Sequence, residues 1–193
     1  MKKLIVGTLV VFALVWASPP AQAEFFSVAV DVPVAFGFDD PLEANVKEVS
    51  GAKFSVSFPF LVGLGYENYD VTQTKSGIDP VTNAVVANKD FVSTITMVDI
   101  FFTLPIPVIN IVLGLGRGKA KFAGPNSQFL NNADLTQYYL SVGIPFAAIL
   151  DLHVGYHVIS GEADPSTLGV SQGITTKKII DGNMTSIGLK LGF

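Results

Sequence analysis

His153 and His157 carry the strongest chemical suggestion in this chain, because four-residue spacing puts two imidazoles on one face of a helix, where both can grip one metal ion. Their neighbours Val154, Gly155, Tyr156 and Val158 specify a strand instead. Four strand residues span about 13 Å, too far for the two rings to share an ion. Asp151 falls two residues from His153 on the same face, which predicts a carboxylate–imidazole pair of structural rather than catalytic character. The stretch Gly114–Lys119 has the glycines and lysine of a phosphate loop. Leu113 stands where the first glycine belongs, Ala120 follows the lysine, and no helix follows to present amide groups. It reads as a strand whose glycines relieve crowding. Asp39, Asp40 and Glu43 offer oxygen ligands for a divalent cation, but they lack calcium-loop spacing and Lys47 offsets their charge, so a solvated loop is expected. The sequence assigns no catalytic residue, metal site or cofactor.

Composition narrows the classes further. Of 193 residues, 15% are charged, against about 25% in soluble domains, and the mean hydropathy is +0.49. Such a chain needs a non-aqueous partner. The net charge is −4 with no basic cluster, which argues against nucleic acid as a partner. With no cysteine there is no disulfide framework, thiolate site or lipid-attachment thiol.

Residues 1–23 read as a secretory signal peptide. Lys2 and Lys3 precede an apolar stretch from Leu4 to Trp16, and Ala21-Gln22-Ala23 supplies small residues for cleavage. The apolar stretch is shorter than the roughly 20 residues of a spanning helix. Removing 23 of the 193 residues, two lysines among them, leaves 170 with 10 basic and 16 acidic side chains, a net −6. Residues 24–193 are expected to form one domain, and no second apolar run of helix-spanning length occurs in them.

Alternation predicts eight strands, because apolar residues at every second position share one face of a strand. Thr185, Ile187, Leu189, Leu191 and Phe193 oppose Ser186, Gly188, Lys190 and Gly192, and Leu150, Leu152, Val154, Tyr156 and Val158 oppose Asp151, His153, Gly155 and His157. Val28, Val30, Val32, Val34 and Phe36 oppose Ser27, Ala29, Asp31 and Pro33. Similar splits recur around Phe54, Leu64, Ile100, Leu113 and Leu140, with Phe101 and Val112 as exceptions to the pattern. Tight turns are expected at Pro59, at Pro105 and Pro107, and at Pro145. Long polar loops are expected at about Asp39–Val49, Lys75–Asp90, Gly124–Asp134 and Gly161–Asp181. Short turns on one side and long loops on the other are the plan of a transmembrane barrel. Phe58, Phe60, Phe102, Phe146 and Phe193 fall at the turn end, and Phe36, Phe38, Tyr66, Tyr138 and Tyr156 toward the loop end, as two aromatic girdles would.

The expected fold is therefore all-β: an eight-stranded antiparallel up-and-down transmembrane β-barrel. A lipocalin-like soluble barrel would need a charged exterior, and about one charge per polar face is too few. Asp31, Lys53, Glu67, Asp99, Asp151, His153, His157 and Lys190 are expected to form a polar cluster in the lumen, since charges facing lipid are costly.

The terminal Gly188-Leu189-Lys190-Leu191-Gly192-Phe193 resembles the closing strand of bacterial outer-membrane proteins, and the whole layout resembles the small barrels of the OmpA, OmpX and OmpW superfamily. The resemblance implies an outer-membrane location in a Gram-negative cell envelope, outer-membrane lipid as surroundings, and Phe193 as the assembly signal read by the barrel-assembly machinery. It implies little about activity, since this fold hosts several functions. Lipid-A deacylases of such barrels carry a His and a Ser two residues apart on one strand; here Gly155 and Ile159 stand at the corresponding positions. The expectation is a monomeric, non-enzymatic structural or surface-interaction protein whose loops contact a ligand the sequence does not name. A narrow solute or ion channel is the alternative, and a lipid-modifying enzyme the third reading.

Overall fold

In a computed structural model, the structure describes residues 26–38, 45–59, 61–78, 85–106, 109–123, 127–147, 149–171, 173, 175 and 177–193. The expected signal peptide and the acidic group Asp39, Asp40 and Glu43 lie outside the described residues. Eight long strands form the wall: β1 (Ser27–Phe38), β2 (Asn45–Ser57), β3 (Val62–Ile78), β4 (Val85–Ile106), β5 (Ile109–Ala123), β6 (Ala133–Ala147), β7 (Leu150–Ala163) and β9 (Gly182–Gly192). A two-residue strand, β8 (Lys178–Ile179), adds to the outer end of β7. Each wall strand pairs antiparallel with the next in sequence, β7 pairs with β9, and β9 returns to β1. The wall is thus a closed eight-stranded barrel, with every strand having a neighbour on both sides, the requirement for crossing hydrocarbon.

Closure is completed at the chain end. Phe193 N–H donates to the Phe26 carbonyl at 2.8 Å, and Phe26 N–H returns a bond to the Phe193 carbonyl at 3.2 Å. The Phe193 ring stays exposed on the outer face at the turn end.

The strands run 11 to 22 residues, longer than the expected ten, because two of the expected loops are partly sheet. β3 and β4 remain paired as far as Ile78 and Val85, inside the segment expected as a loop, and β2 begins at Asn45. The proline turns are also corrected. Pro59 occupies a turn, but Pro105 pairs with Asn110 within the β4–β5 ladder and Pro145 pairs with Asp151 beside a register shift, while Pro107 lies outside the described residues. Prolines here end strands by withholding a donor, as they do near sheet ends.

The outward face is apolar in a band. Val30, Val32, Phe54, Leu64, Val98, Ile100, Phe102, Leu113, Leu115, Leu140, Leu152, Val154, Ile187 and Leu189 are all exposed. An apolar surface of that extent needs lipid around it. Phe58, Phe102, Phe146 and Phe193 border it at the turn end, and Tyr66, Tyr138 and Tyr156 toward the loops, while Phe60 lies outside the described residues. Phe36 does not join them. A β-bulge between Pro33 and Ala35 leaves Val34 and Ala35 both exposed and turns Phe36 inward, against Phe38. One extra residue in a strand inverts every later side chain.

Above the band the alternation changes phase. On β3, Asn68 and Asp70 face out and Tyr69 and Val71 face in; Thr136 and Ser160 likewise sit on the outward faces of β6 and β7 while Leu135 and Ile159 are buried. Outward-facing residues turn polar where lipid ends, and the lumen becomes apolar in exchange. Tyr69, Val71, Ile95, Met97, Leu135, Ile159 and Met184 fill the loop end of the barrel as one cluster with Phe36 and Ile180.

Loops three and four are tied together above this cap. The residue pair Leu130 and Pro165 forms a β-bridge, Asn131 N–H donates to the Asp164 carbonyl at 2.8 Å, and Ser166 N–H donates to the Phe129 carbonyl at 2.9 Å. A five-residue helix, Thr167–Ser171, packs its Gly169 on the Phe129 backbone, where a Cβ would collide with the carbonyl oxygen. Lys177 links Glu162 at 3.0 Å and Asp164 at 3.6 Å. The hydrogen bond to Glu162, then the Asp164 charge, holds its ammonium above the ordinary lysine range.

Candidate functional site: the polar lumen

The barrel register brings the eight expected polar residues into one interior, all buried. They form two groups. Nearer the middle, Lys53 on β2 stands at the hub: its Nζ is 2.9 Å from Glu67 Oε1 on β3 and 2.7 Å from Asp99 Oδ2 on β4. The same ammonium sits 3.5 Å from the centre of the Tyr139 ring on β6, a cation–π contact in a desolvated setting. Tyr139 donates its hydroxyl to Asp99 Oδ2 at 3.3 Å, and Gln137 donates Nε2–H to Glu67 Oε1 at 2.9 Å. The His157 ring stacks on Tyr139 with centroids 4.8 Å apart. Asp31 on β1 is the register partner of Lys53.

Toward the turn end, Asp151 Oδ2 collects three partners: Lys190 Nζ at 3.1 Å, Asn110 Nδ2 at 2.5 Å and His153 Nε2 at 3.8 Å. The expected Asp151–His153 contact is therefore one edge of a larger group. Ser27 and Ser57 hydroxyls bond to each other across β1 and β2 at the turn end.

Glycines make room for these side chains. Gly65 is the register partner of Asp99, Gly114 of Tyr139, and Gly143 and Gly188 of His153. A Cβ on Gly114 would lie 2.1 Å from Tyr139 Cζ, and one on Gly143 would meet His153 Nε2 at 2.6 Å. Gly63 gives the same clearance to Phe101. The two exceptions to sequence alternation, Phe101 and Val112, thus point inward and pack with Tyr139. The Gly114–Lys119 stretch lies within β5 and shows no phosphate-loop geometry.

One arrangement is invisible in the linear sequence, because its members come from three strands. Ser186 Oγ on β9 is 3.1 Å from His157 Nε2, and His157 Nδ1 is 3.9 Å from Glu67 Oε1. The order is that of a nucleophile, a base and an orienting acid. All three side chains are 2% exposed or less. The neighbouring void, between Ser55, Thr103, Ser141, His153, Ser186 and Lys190, measures about 30 Å³, the space of a water molecule rather than of an acyl substrate. The His157 ring thus meets the Ser186 hydroxyl at Nε2, while His157 Nδ1 and Glu67 Oε2 are buried without a hydrogen-bond partner.

The fold has counterparts among solved structures. Outer membrane protein W of E. coli superposes with a TM-score of 0.51 at 12% identity, covering 89% of this chain and 99% of that one. OprG from Pseudomonas aeruginosa gives 0.47 at 12% identity, covering 90% and 99%, and the neisserial surface protein NspA gives 0.46 at 13%, covering 89% and 99%. No protein-family model matches the chain, and no curated protein matches it by sequence. The closed antiparallel wall, its apolar outer band and the near-complete coverage of outer membrane protein W agree on one architecture: this chain has the fold of the small eight-stranded outer-membrane barrels.

Proposed function

We propose that this protein is a structural, surface-displaying barrel of a bacterial outer membrane, exported on residues 1–23 and acting as a monomer without catalysis or through-transport. The observation that carries this reading is the double seal of the lumen. The Lys53 network fills the middle of the barrel, and the Tyr69–Met97–Leu135–Ile159 cap fills its outer end. An eight-stranded barrel is wide enough for side chains and little more, and here ion-paired and apolar layers lie in series. An ion crossing it would have to break a buried pair and then enter a layer that is apolar apart from the Tyr69 hydroxyl.

The surface role rests on loops three and four. Their cross-bonds pre-organise a platform, which lowers the ordering cost of binding, and Leu168, Val170 and Ile179 are exposed on it. Insertion by the barrel-assembly machinery at Phe193, with outer-membrane lipid as the surroundings, belongs to the same reading. Planar-bilayer recording tests the seal. Purified, refolded protein is expected to give no conductance steps above the lipid baseline. Reproducible steps from the wild-type chain would overturn the sealed-lumen reading in favour of a narrow channel.

A further inference from the structure

The outer wall carries a feature that a sealed barrel does not require. On β5, Leu113 and Leu115 face outward in the apolar band, and the next three outward positions are Arg117, Lys119 and Lys121, all exposed. Arg117 is the only arginine of the chain, and the three make up three of the ten basic residues in 24–193. Successive outward residues on a strand are about 7 Å apart, so the cations form a ladder about 14 Å long rising from the edge of the band. Their level is fixed independently by neighbouring strands. Arg117 pairs in register with Val98 on β4 and Thr136 on β6, and Thr136 is the first polar outward residue above Tyr138. Arg117 therefore stands at the height where lipid tails give way to headgroups.

Below the ladder lies an apolar groove of about 620 Å³ on the outer wall, lined by Ile100, Phe102, Leu113, Leu115, Leu140 and Tyr156, among others. One acidic neighbour, the register partner Asp134, reaches the ladder, and only at its middle rung. Lys119 is 3.9 Å from Asp134, with both side chains largely exposed, and among the described residues no ion pair involves Arg117 or Lys121. Lys121 pairs in register with Thr94, whose hydroxyl donates to Asp70. Cations placed directly over an apolar groove match a molecule with anionic groups at one end and acyl chains at the other.

We propose that the outer wall over β4 to β7 binds a phosphorylated lipid of the outer leaflet, with its acyl chains in the groove and its phosphates on Arg117, Lys119 and Lys121. The proposal rests on the outer-membrane reading and extends it to a lipid class. Arg117 contributes a planar fork for a phosphate, and the two lysines add mobile point charges above it. The wall is then a lipid-selective surface, and the protein would hold a phosphorylated lipid as an annular partner of defined position.

The test uses the refolded chain in phosphatidylcholine vesicles doped with bisphosphorylated lipid A or with the same lipid after dephosphorylation. Gentle detergent extraction and mass spectrometry then count the doped lipid retained per barrel. Heat-modifiable gel mobility of each sample reports folding separately, so failure to insert is distinguished from failure to bind. The wild type is expected to retain the phosphorylated lipid at least about fivefold over the dephosphorylated one. The triple variant R117Q/K119Q/K121Q is expected to lose that preference, whereas K177Q on loop four keeps it. Equal retention of the two lipids by the folded wild type would overturn the proposal without need of any variant. An undiminished preference in the folded triple variant would overturn the assignment to this ladder.

Discussion

Replacing Lys53 with methionine is expected to destabilise the folded barrel by about 3–5 kcal/mol, the range for removing one partner of a buried ion pair. The lysine faces Glu67 and Asp99 at 2.9 and 2.7 Å, with side-chain exposures of 4% or less for all three. Methionine fills similar space but leaves two carboxyl groups without their ammonium, and it removes the cation from the Tyr139 face. The midpoint of urea unfolding in lipid vesicles, followed by heat-modifiable gel mobility, is the measurement. Adding E67Q and D99N to K53M is expected to recover much of the loss, since the uncompensated acids rather than the missing side chain carry the cost. An unchanged midpoint for K53M would mean that the network contributes nothing to stability.

A second large effect is expected at Gly114. Its register partner is Tyr139, and a Cβ at position 114 would collide with that ring at 2.1 Å. G114V is expected to cost about 1–3 kcal/mol or more, because overpacking in a tight interior is relieved only by moving side chains or backbone. The ring has little freedom to move: His157 stacks on one side of it, Lys53 sits over it, and its hydroxyl bonds Asp99. The double variant G114V/Y139A is expected to be less destabilised than the sum of its two single changes, since removal of the ring opens the space that valine needs. Strict additivity in that cycle would contradict the packing account.

The wall was legible in the sequence because period-two alternation is a strong signal wherever one face meets lipid and the other does not. The faces of β7 and β9 follow that signal residue by residue, from Leu152 and Asp151 to Leu191 and Lys190. Phe36 departs from the alternation because a bulge inserts a residue without any local mark except Pro33. Phe101 and Val112 looked like flaws in the alternation, but they are lumen residues paired with a glycine opposite or with Tyr139 beside them. The apolar cap carries no mark of its own in the sequence. Its residues alternate as regularly as those in the lipid band but in opposite phase, with Asn68, Asp70 and Thr94 outside and Tyr69, Val71 and Ile95 inside. The ion pairs of Lys53 were beyond reach, since they depend on the register among β2, β3 and β4, which alternation leaves undetermined. The same holds for Ser186 and His157, which are 29 residues apart.

Separating the membranes of cells that express the full chain tests the central claim most directly. The protein is expected in the outer-membrane fraction, and unheated samples are expected to migrate on a gel at a position different from boiled ones, as a closed barrel resists detergent unfolding. A mature chain recovered soluble in the periplasm, or a membrane-bound chain whose mobility does not respond to heating, would contradict the account.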